Sequence, residues 1–251
     1  MRTFIVPMVC LSCLFPYATA STFAQAQAGN AVGQDSSDAS AAQKKAAEIQ
    51  KTMRSLGFSM SFFYRNPDAA QFDRISKLID EHEETILKAS KRNRFNVIAA
   101  TFLARVHQKH EFPISSTGKI GDLARAIIAK DKDNQEAVFV NDPKQITASK
   151  LDAWWISFSA TGDTKYVESI LKVTGNPRTK KVNGLLSIPV VTAANWSFKS
   201  NCRLHKPVFE FAANASKLEK WAAQKSFLDH CVAFVKEAQT QKETGKAKPK
   251  P

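Results

Sequence analysis

Several signatures of common enzyme classes are missing from this chain. There is no G-x-S-x-G elbow, no P-loop and no G-x-G-x-x-G turn. Acyl-transfer and nucleotide-binding folds therefore lack their usual sequence support, and no nucleotide cofactor is expected. The zinc-protease spacings H-E-x-x-H and H-x-x-E-H are missing as well. Past the first residues, no apolar run is long enough to span a bilayer. Cysteine is scarce, with four in 251 residues, and acids are outnumbered, 23 Asp and Glu against 36 Lys and Arg.

The shortage of acids leaves a formal net charge of +13. A surplus of that size favours contact with anionic polymers or membrane surfaces. With 43% hydrophobic and 10% aromatic residues, the chain can bury a sizeable core in one domain or build two small ones.

The opening residues read as a secretory signal peptide over 1–20. Arg2 precedes an apolar run from Phe4 to Phe15, too short for a membrane span, and Ala18-Thr19-Ala20 supplies small residues for cleavage. Ala24-Gln25-Ala26 and Ala26-Gln27-Ala28 offer the same geometry a little later. Removal of this leader takes Cys10 and Cys13 with it. Cys202 and Cys231 then remain as an even pair, and export places them in an oxidising compartment, where a disulfide between them is expected. Residues 21–40, rich in Ala, Gln, Gly and Ser, read as a flexible linker. Residues 240–251, with repeated lysines and prolines, read as a disordered basic tail.

Between linker and tail, 41–239 reads as a single helical domain. Ala42, Ala46, Ile49, Met53 and Leu56 form an apolar stripe that Gly57 closes. Phe58 to Tyr64 fits both strand and helix periods. Asn66-Pro67-Asp68 punctuates the chain, and Phe72, Ile75, Leu78 and Ile79 resume a helix. Phe95, Ile98, Ala99, Phe102, Leu103 and Val106 make the strongest stripe of the first half. Ile120 to Ile128 continues the rhythm, and Ala137 to Val140 suits a short extended piece.

The central stretch, Lys150 to Thr174, predicts a helical hairpin. Leu151, Trp154, Trp155 and Phe158 precede Thr161-Gly162-Asp163, a C-cap glycine followed by an N-cap aspartate, and Tyr166, Val167, Ile170 and Leu171 follow. Pro189 and Pro207 open two further helices. One last helix carries Leu218, Trp221, Leu228, Cys231, Val232 and Val235. The expected fold is all-α, helical hairpins stacked in a bundle or short solenoid-like array.

Part of this pattern is shared more widely. Trp154, Phe158, Thr161-Gly162-Asp163, Val167 and Ile170, followed by Ala193, Trp196-Ser197, Ser200-Asn201, His205 and Val208, resemble an uncharacterised family of exported all-helical bacterial proteins. That resemblance covers about a third of the chain and implies a helical fold with no known activity. The hairpin also resembles a tetratricopeptide unit in part. It departs from it where Trp155 replaces a small residue and Val167 an alanine, and no 34-residue period recurs.

Candidate chemistry is sparse. His107 and His110 stand beside Glu111, a spacing that suits two nitrogen ligands and a carboxylate. Near a helix C-terminus the same histidines serve as surface groups favoured by the dipole, and no metal is expected. Asp80, Glu81, Glu83 and Glu84 read as solvated charge, because a general acid needs partial burial. Trp196, Lys199, Asn201, Arg203, His205 and Lys206 mix an aromatic, an amide, a histidine and cations, a set suited to an anion or peptide pocket. The plainer reading puts Trp196 and Phe198 in the core and the cations in water.

These features favour a non-enzymatic helical interaction or scaffolding protein of the bacterial envelope or exterior, with a protein partner and no cofactor. Two alternatives stand beside it. One is an enzyme of unrecognised type using His110, Glu111 and His205. The other is an electrostatic binder of anionic polymer or lipid surface.

Overall fold

A computed structural model of the chain describes residues 36–93, 95–133, 146–175 and 188–243. The expected signal peptide, most of the linker, the Ala137 to Val140 piece and the tail beyond 243 lie outside the described residues. Among those described, ten α-helices and no strand are found, and the helices pack on one another, as the sequence predicts. No described helix is long and apolar enough to cross a membrane. Within the stretch read as one helical domain, the chain divides into two compact units, Met1–Ile128 and Ala129–Pro251.

In the first unit α1 spans Ser36–Ser61, so it starts inside the expected linker and runs through Gly57. A helical glycine costs about 1 kcal/mol. Leu56 and Met60, each 1% exposed, offset that by burying side chains at about 1.5 to 3 kcal/mol apiece. The helical period thus wins over the strand period from Phe58 onward, and a single 3₁₀ turn, Phe63–Arg65, completes the stretch.

Asp68, extended after Pro67, caps α2 (Ala69–Glu81) by accepting from the amides of Ala70 and Gln71. The next helices are α3 (Glu83–Asn93) and α4 (Phe95–His110), and α2 packs on α1, α3 and α4. Every predicted apolar position of α4 is buried. Phe63, Phe72 and Phe102 meet with ring centroids 5.4 to 6.3 Å apart, which places the unit's core where these helices cross.

The connection to α5 (Lys119–Asp133) has no regular structure and is held by acids. Asp80 accepts from the Ser116 hydroxyl and the Thr117 amide, and Glu83 from the Ile120 amide at the N-terminus of α5. The hydrogen bond from Lys77, then that from Ser115, holds the Asp73 carboxyl below its ordinary range. Asp80 and Glu83, read from sequence as solvated charge, are structural anchors. The reason is that the junction of α2 and α3 faces a segment whose Thr117 and Ile120 amides need acceptors.

The second unit begins with the predicted hairpin. In α6 (Ala148–Thr161), Thr147 caps the start and Gly162, at φ 71, returns its amide to the Phe158 carbonyl. The N-cap of α7 (Lys165–Val173) is Thr164 and not the expected Asp163, which stands one residue earlier and accepts from the Lys165 amide. Trp154, Trp155, Phe158 and Leu171 are 3% exposed or less. Following are α8 (Ile188–Leu204) and α9 (Lys206–Ala215), with Pro189 and Pro207 in their first turns.

The expected last helix is divided. Leu218 is extended and Trp221 leaves the helical region at φ −112, so a 3₁₀ turn, Glu219–Gln224, precedes α10 (Lys225–Glu243). α8 packs on α6, α7, α9 and α10, and α9 packs on α10. α8 is therefore the element around which the second unit is assembled.

Candidate functional site

α8 joins its neighbours through polar contacts as well as apolar ones. The Trp155 indole donates to the Ser197 hydroxyl at 3.0 Å in the buried seam between α6 and α8. Asn195 donates to the Gly175 carbonyl at 2.7 Å and accepts from the Gly175 amide at 2.9 Å. This two-point clasp fixes the end of α7 at a glycine whose φ is 135, a conformation that strains any side chain. Neither role is visible in sequence, because both need the partner helix to be in place.

The predicted pocket residues separate into two groups. Asn201 donates to the Ser197 carbonyl of its own helix. His205, 2% exposed, starts α9 and sets its ring edge against Phe158, centroids 5.6 Å apart. These two belong to the packing of the unit. Trp196, by contrast, is 45% exposed although Phe198 beside it is fully buried.

The plainer expectation of a buried Trp196 therefore fails, for a reason of helix phase. Phe198 and Cys202, four apart, face inward, and Trp196 falls with Arg203 on the opposite side. Seven residues separate Trp196 and Arg203, two turns or about 10 Å of helix. Arg203 is exposed, Leu204 is 39% exposed, and Lys206 reaches water beside Glu210, Nζ 3.5 Å from the carboxylate. The exposed indole midway along α8 thus stands two turns before Arg203, with Leu204 at the helix end and Lys206 at the start of α9.

Lys199 lies between the two groups. Its ammonium donates to His230 Nε2 at 2.8 Å and sits 4.2 Å from the Phe234 ring centroid, both on α10. Below it lie Cys202 and Cys231, 2% and 0% exposed. The expected disulfide is not formed: both are free thiols. The neighbouring Cys231, then burial, pushes the Cys202 thiol up, while Cys202 and the Lys199 charge hold Cys231 below its ordinary value.

The histidine pair of the first unit is spoken for by packing. His107 Nδ1 donates to the Phe112 carbonyl at 2.9 Å, and the His110 ring stacks on Phe112 with centroids 5.5 Å apart. Among the described residues, no group of three or more His, Cys, Asp or Glu could hold a metal ion. His110 and Glu111 belong to the first unit and His205 to the second.

The chain matches no family model, no curated protein and no solved structure.

Proposed function

We propose that the protein is a non-enzymatic helical interaction protein of the bacterial envelope or exterior, and that it docks an acidic protein partner on the outer face of α8. The observation that carries this reading is Trp196, 45% exposed on the same outer face of α8 as Arg203, two turns before it. A single exposed apolar residue is ordinary in a folded protein. Tryptophan and arginine together form the composition of binding hot spots, where a large rigid side chain and a planar cation fill a partner's pocket. The chain's net charge of +13 makes an acidic surface the complementary one.

The test is affinity capture with the protein and with a Trp196→Ala/Arg203→Glu variant as baits, each checked for the same melting temperature. A partner retained by the parent and lost by the variant supports the reading. Trp196→Ala alone is expected to weaken binding by roughly 2 kcal/mol or more, on the order of 30-fold. Identical capture by both baits contradicts it.

The same net charge favours a second reading, electrostatic binding of anionic polymer or lipid surface. Retention on an anionic matrix that disappears with added salt and ignores Trp196 identifies that case.

A further inference from the structure

We infer that Cys202 and Cys231 are a redox-active dithiol, which a disulfide-bearing small molecule or protein closes into an intramolecular disulfide, with Cys231 as the attacking sulfur. The inference rests on the seam between α8 and α10 and is independent of the α8 outer face. Phe198 and Cys202 are four apart on one helix, and Phe227, Cys231 and Phe234 are spaced by four and three on the other, so each set lies on one face. The seam is fixed beside the thiols. Phe198 meets Phe227 with centroids 5.7 Å apart, and Lys199 bridges to His230 and Phe234. Register is thereby set, and Cys202 and Cys231, each one turn beyond the paired Phe198 and Phe227, fall opposite each other across the seam.

Their surroundings differ in a way that assigns the roles. Cys202 donates to the Val208 carbonyl at 3.9 Å and keeps its proton. Cys231 lies between His230 and Phe234, which hold the Lys199 ammonium, and that charge favours its thiolate. A sulfur so placed is the better thiolate and hence the better nucleophile. Both are buried, so reaction follows local opening of the seam.

The electrons and protons balance. Cys231 thiolate attacks one sulfur of the incoming disulfide, whose S–S bond breaks and releases a first thiolate. Cys202 then loses its proton and attacks Cys231 Sγ, expelling the second thiolate. The two cysteines are oxidised by two electrons, the incoming disulfide is reduced to two thiols, and the two cysteine protons end on those leaving groups.

The experiment uses the full chain with Cys10→Ser and Cys13→Ser, so that only this pair reports, and oxidised glutathione as the probe. Samples are unfolded, labelled with a maleimide and mapped by peptide mass spectrometry. Expected are the loss of both labels, a linked peptide containing Cys202 and Cys231, and recovery of both labels after dithiothreitol. Cys202→Ser should trap glutathione on Cys231, and Cys231→Ser should take it up on Cys202 about tenfold more slowly. Two labelled thiols after oxidation overturn the dithiol, and equal or faster uptake at Cys202 overturns the assigned order. If either serine variant fails to fold, the linked peptide in the parent decides alone.

Discussion

At the scale of single residues, two glycines in helices should respond to alanine with opposite signs. A Cβ added at Gly121 in α5 would lie 2.3 Å from the Ser116 carbonyl oxygen, a backbone atom held by its neighbours. Gly121→Ala is therefore expected to destabilise by about 1 to 3 kcal/mol. A Cβ at Gly57 in α1 meets nothing within 4 Å, so Gly57→Ala should stabilise by about 0.4 to 1 kcal/mol. Urea melts of the two variants check the pair, and matching signs would contradict the packing described. Trp154, 2% exposed, should cost roughly 3 to 5 kcal/mol as Trp154→Ala, and a variant that melts like the parent would remove it from the core. Trp154 could be placed from sequence because the apolar positions around it recur at helical spacing and leave one inward phase. Trp196 could not, because it interrupts a run of Val190, Val191, Ala193, Ala194 and Phe198 that is apolar or small on nearly every side.

At the scale of elements, caps and breakers were the legible part. Gly162, Asp68, Pro189 and Pro207 mark ends that the structure keeps, since each acts through its own backbone. Long-range ties were illegible. Asp80 and Glu83 read as solvated charge until the segment leading into α5 lies against them, and the start of α10 was misplaced because Leu218, Trp221 and Leu228 keep helical spacing across a 3₁₀ turn. Asn195 holds α7 to α8 through two bonds to Gly175, so Asn195→Ala should lower stability by roughly 1 to 3 kcal/mol. A thermal melt unchanged from the parent would show that the clasp is idle. Closing Cys202 to Cys231 forms a loop of about 30 residues, and oxidised protein should gain roughly 3 to 4 kcal/mol in the loop-entropy account. Its urea midpoint should rise on oxidation and fall back with dithiothreitol.

For the molecule as a whole, the all-α class was legible because nearly every apolar stretch recurs at three and four residues and none demands pairing with a distant strand. The net charge of +13 was equally plain, but composition says nothing of where the cations gather. The structure adds a location: an exposed indole midway along α8, with Arg203 two turns on along the same face and Lys206 at the start of α9. Of the six residues predicted as a pocket, Asn201 and His205 turn to packing and Lys199 to the α10 seam, because helix phase and the α8 to α9 junction decide which side chains reach water. The most direct test is photo-crosslinking in envelope extract with p-benzoylphenylalanine in place of Trp196, against the same probe in place of Phe58, which is 60% exposed in the first unit. A discrete protein adduct from position 196 that weakens with salt and is missing from position 58 is the predicted result. No adduct from position 196, or the same adducts from both positions, would contradict docking on α8.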